Sequence, residues 1–65
     1  MSLVLRKLPQ ETWCTAMIKQ ADKWGLVAEV QEFYDIYRKN GATEKQAAFD
    51  ALMEWDCLDY EEKKK

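Results

Sequence analysis

The chain has no histidine, one serine, one proline and only two glycines in 65 residues, and each scarcity removes a class of function. Without histidine, the commonest general base and a principal zinc ligand are missing. With Ser2 as the one serine and no glycine-rich loop, neither a Ser–His nucleophile nor a phosphate cradle can be assembled. The sequence reads as a non-enzyme with no cofactor and no metal site. Cysteine is nearly as scarce. Cys14 and Cys57 lie too far apart for a CxxC pair, and the expectation is two reduced thiols packed as small hydrophobes. A bridge between the first and last helices is the alternative, and it would need an oxidising compartment.

Long apolar runs are also lacking. No stretch reaches the length that crosses a bilayer, and the start, Met1 to Lys7, has no apolar signal core. A cytoplasmic protein without membrane association is expected. A large charge of either sign is absent too: 34% of the residues are charged, yet the formal net charge is −2. That is the wrong sign for a general phosphate binder. The 48% hydrophobic content argues against disorder.

What is present is helical periodicity. Pro9 suits a first helical turn, where a missing N–H costs nothing, so helix one is predicted from Pro9 to Trp24. Trp13, Met17, Ala21 and Trp24 form its stripe, widened by Cys14 and Ile18. Gly25 follows as a left-handed stop. Helix two is predicted from Leu26 or Val27 to Lys39, with Leu26, Val30, Phe33 and Tyr37 on one side and Val27 and Tyr34 flanking. Ile36 lies off that stripe among acidic neighbours. After Asn40-Gly41, Thr43 and Gln46 read as the ends of a capping box, and helix three is predicted to run on to Leu58 or Tyr60. The expected architecture is all-α: a compact three-helix bundle over 9–60, an apolar N-terminal arm over 1–8 and a charged tail over 61–65. A strand reading is rejected because alternation is confined to a few residues of the arm.

Helix three carries two apolar stripes in this reading. Ala48, Ala51, Leu52, Trp55 and Leu58 form one, and Phe49, Met53, Cys57 and Tyr60 the other. One stripe docks a helix on its own domain, so a second calls for a further partner. Phe49, Met53, Cys57 and Tyr60, with Leu3, Leu5 and Ile36, are therefore the candidate protein interface. A homo-oligomer, preferably a two-fold dimer, is expected, alongside an unidentified protein partner. Whether the arm covers helix three in cis or from a neighbouring copy stays open. The three tryptophans, Trp13, Trp24 and Trp55, sit on the core stripes and read as core.

Two further readings follow from motifs. Helix two, the Asn40-Gly41-Ala42 turn and helix three share the outline of a helix-turn-helix, with Thr43, Lys45 and Gln46 able to meet phosphates or bases. Glu44 and Asp50 in the same region, and Glu29, Glu32 and Asp35 on helix two, disfavour nucleic acid. Glu54, Asp56 and Asp59 read as a solvated face rather than an acid/base pair. The size and three-helix outline are similar to ubiquitin-associated domains. Trp24-Gly25-Leu26 stands where that family has its Met-Gly-Phe/Tyr loop, so ubiquitin binding is not carried over. The sequence reads as a small accessory protein that works by contact with protein.

Overall fold

The computed structural model describes residues 2–61. Met1 and most of the charged tail, 62–65, lie outside the described residues, as do the side chains of Ser2, Tyr60 and Glu61. In chain order the elements are β1 (Ser2–Val4), α1 (Trp13–Asp22), α2 (Val27–Lys39), α3 (Glu44–Glu54) and β2 (Asp59–Glu61). The fold is the expected all-α three-helix bundle, with α3 packed against both α1 and α2.

Helix one starts later than predicted. Pro9 occupies the second position of a reverse turn, closed by the Glu11 N–H donating to the Leu8 carbonyl at 3.0 Å. Proline's fixed φ suits that position as well as it suits a helical first turn. The true N-cap is Thr12, whose hydroxyl accepts from the Thr15 N–H at 3.1 Å.

All three helices end in the same way. The Leu26 N–H reaches back to the Ala21 carbonyl and the Gly25 N–H to Asp22; Ala42 and Gly41 repeat this on Tyr37 and Arg38; Cys57 and Asp56 repeat it on Leu52 and Met53. Each is a Schellman motif, with a left-handed residue at its centre and an apolar residue after it. Two of the central residues are glycine, Gly25 at φ 68° and Gly41 at φ 98°, and the third is Asp56 at φ 56°. Leu26 serves twice, since its carbonyl also accepts the Val30 N–H that opens α2. The Thr43 cap is present, accepting from the Gln46 N–H at 3.1 Å. Gln46 does not complete the capping box, because its side chain donates to Asp50 instead.

Helix three is therefore shorter than expected. It stops at Glu54, and Cys57 and Leu58 enter the core from the segment that follows. The core centres on Met17, Ala21, Val30, Tyr34, Ala47, Ala48, Ala51, Leu52, Cys57 and Leu58. Three buried alanines on α3 let both other helices approach it closely. Met17 and Leu52 are fully buried, each stabilising the fold by about 1.5–3 kcal/mol.

The arm is also corrected. Its first residues form a strand, and β1 pairs antiparallel with β2 in the register Ser2↔Glu61, Leu3↔Tyr60 and Val4↔Asp59. Leu3 and Leu5 pack against the core. The arm thus covers its own chain, and Glu61, expected in the tail, belongs to the ribbon.

Candidate functional site

The predicted interface does not survive as one surface. The second stripe needed α3 to continue through Tyr60, and the left-handed Asp56 ends it two residues after Glu54. Cys57 is fully buried, and burial pushes its thiol above the ordinary value, with the neighbouring Asp56 carboxylate adding to the effect. Phe49, Leu3 and Leu5 are half-buried against the core. Tyr60 lies in β2, its side chain outside the described residues. Among the described side chains of the set, Met53 and Ile36 are the exposed ones, at 46% and 44%. The doubled stripe from which the sequence predicts a dimer is therefore not formed on α3.

Two of the three tryptophans also leave the core. Trp24 is 57% exposed and Trp55 38%. Each stands immediately before the left-handed residue that ends its helix, Gly25 or Asp56, so each lies just past the last helical turn. Trp55 leans on Phe33 with ring centroids 5.9 Å apart and planes at 42°, and Phe33 stacks on Tyr37 at 6.1 Å and 17°. These three rings form a shelf where α2 meets the end of α3. Ile36 stands one turn from Phe33 on α2. Burial raises the Tyr37 phenol, as do the Glu54 and Asp50 carboxylates beside it. The shelf is apolar with an acidic edge.

A second region lies between the segment before α1 and α1 itself. Arg6, Lys7, Leu8 and Glu11 on one side, Ala16, Lys19, Gln20 and Lys23 of α1, and Asp59 line a groove of about 570 Å³. Glu11 organises it. One carboxylate oxygen pairs with Lys19, and the other accepts the Leu8 N–H at 3.0 Å. The Lys19 contact and then the Leu8 N–H hold the Glu11 carboxyl below its ordinary value of 4.5. Lys7 donates to the Leu8 and Glu11 carbonyls, each at 3.1 Å, and its ammonium lies 5.3 Å from the Trp13 ring centroid. Lys45 of α3 lies at the same distance from that ring. Lys23 and Asp59 are 3.8 Å apart. Arg6, Lys7, Arg38, Lys39 and Lys45 do not gather into one basic cluster. The fold instead joins Arg6 and Lys7 to Lys19 and Lys23, while Arg38 donates to the Ala42 carbonyl at the α2–α3 connection.

The helix-turn-helix candidates are engaged internally. Thr43 caps α3, Gln46 donates to Asp50, and Lys45 covers Trp13. Glu54, Asp56 and Asp59 do not act together, since Asp59 faces Lys23 while Asp56 turns the chain. Neither cysteine is bridged. Among the described residues, no helix is long and apolar enough to cross a membrane.

Fold and surfaces together define a small all-α domain with two separate candidate contact regions. No protein-family model matches the sequence, and neither the curated proteins nor the solved structures contain a significant match.

Proposed function

We propose that this chain is a non-catalytic accessory domain that works by binding protein and also associates with itself. The aromatic shelf of Phe33, Tyr37 and Trp55 is the partner surface. The observation that carries this reading is Trp55, held by its contact with Phe33 yet 38% exposed. A large amphipathic ring fixed before contact loses little freedom on binding, which is why tryptophan and tyrosine dominate interface energetics. Exposed Ile36 and Met53 extend the apolar area available to a partner. The free thiols of Cys14 and Cys57 support a reducing, cytoplasmic setting.

The test compares proteins retained from native lysate by the wild-type chain and by Trp55→Ser, after circular dichroism has shown equal helix content. A partner held by the wild type should be lost from the variant. An identical set of retained proteins would refute the shelf as the binding surface.

A further inference from the structure

The charges of this molecule are segregated in a way its net charge of −2 conceals. The groove beside α1 carries four cations, Arg6, Lys7, Lys19 and Lys23, against two carboxylates, Glu11 and Asp59. That leaves an excess of two positive charges. The outward face of α2 is the reverse: Ala28, Glu29, Gln31, Glu32 and Asp35 line a shallow depression that holds three carboxylates and no cation. Each region has one exposed aliphatic side chain at or beside it. Leu8, 51% exposed, lies in the groove, and Ile36, 44% exposed, follows Asp35 on α2.

We infer that a second copy of this chain occupies the groove, the outward face of its α2 lying along α1 of the first. This rests on the self-association part of the function proposed above and names the surfaces that perform it. Charge and apolar content are complementary. Glu29 and Asp35 span roughly 9 Å along α2, and Lys19 and Lys23 roughly 6 Å along α1, at the helical rise per residue, so several opposite charges meet in one docking. Isolated surface pairs contribute little, and a set engaged together contributes more. Lys19 is paired with Glu11 but its side chain is 62% exposed, and Lys23, 63% exposed, holds Asp59 only at 3.8 Å, so both ammonium groups can also be reached by a partner. Among the described residues, Arg6 makes no ion pair.

Sedimentation velocity and cross-linking together test this. At an ionic strength of about 0.01 M, where charges act over roughly 30 Å, the wild type should associate; at about 1 M, where they act over roughly 3 Å, it should be monomeric. Lys19→Glu/Lys23→Glu gives two acidic surfaces and Glu29→Lys/Glu32→Lys two basic ones, so each variant alone should stay monomeric. An equimolar mixture should associate again, since both opposed pairings are then restored. Attraction between net charges alone is separated by zero-length carbodiimide coupling of mixed 14N- and 15N-labelled wild type. Links should join Lys19 or Lys23 of one copy to Glu29 or Glu32 of another. A wild type that is monomeric at low salt overturns both this inference and the self-association reading, leaving the Trp55 test untouched. An associating wild type whose variants behave normally, or whose links fall elsewhere, overturns the groove assignment alone.

Discussion

The side-chain amide of Gln20 donates to the backbone carbonyl of Cys57 at 2.7 Å, across 37 residues of sequence. Gln20 is a buried polar side chain of the core, 8% exposed, and it fastens α1 to the segment that leaves α3. Gln20→Met keeps the length and volume of the side chain and removes the donor, leaving that carbonyl without its partner. The expected loss is about 1–3 kcal/mol, read as a fall in the thermal midpoint of roughly 4–8 °C per kcal/mol for a domain of this size. An unchanged midpoint would show that the bond contributes nothing net.

Asp56 ends α3 in a conformation that glycine adopts more readily. The left-handed region costs a side-chain-bearing residue roughly 1–2 kcal/mol, less for aspartate than for most. Glycine gives back part of that gain through its freer unfolded state. Asp56→Gly is therefore expected to stabilise the domain by up to about 1 kcal/mol, while Asp56→Val, whose β-branched side chain fits this region worst, destabilises it. Urea denaturation of both variants decides the matter, and the opposite order would overturn the capping account.

Glu11 gives the domain an acid-sensitive turn. Its carboxyl is held below the ordinary value by Lys19 and the Leu8 N–H, so the folded state favours the charged form. The resulting stabilisation is present above the ordinary carboxylate range and is lost as pH falls through the folded pKa. Glu11→Gln should be less stable than the wild type at neutral pH and equal to it in acid. A difference that persists undiminished in acid would mean that packing, not charge, is at work.

Several of these features were legible in the sequence. Gly25, Gly41 and Thr43 announced helix boundaries by their chemistry, and Met17, Ala21, Val30, Ala48, Ala51 and Leu52 announced the core by their spacing. The end of α3 was not announced, because an aspartate does there what glycine does at the other two ends. That one residue displaced the expected interface: projecting Trp55, Cys57 and Tyr60 onto a helix assigns faces to residues that are no longer helical. Trp24 was misplaced for the same reason, just past Asp22. Pro9 fits two local structures equally well. The ribbon was illegible because each strand has three residues, too few for a periodic signal, and its partner lies at the far end of the chain. The groove is likewise a tertiary product, drawing cations from the arm and from α1 that no local window contains.

Pairing Ser2–Val4 with Asp59–Glu61 makes the described chain a closed circuit whose entry and exit stand one strand apart. A fold with neighbouring ends tolerates being spliced into a surface loop of another protein or reopened elsewhere. The exposed Asn40–Gly41 corner is a natural place to cut such a rearranged chain.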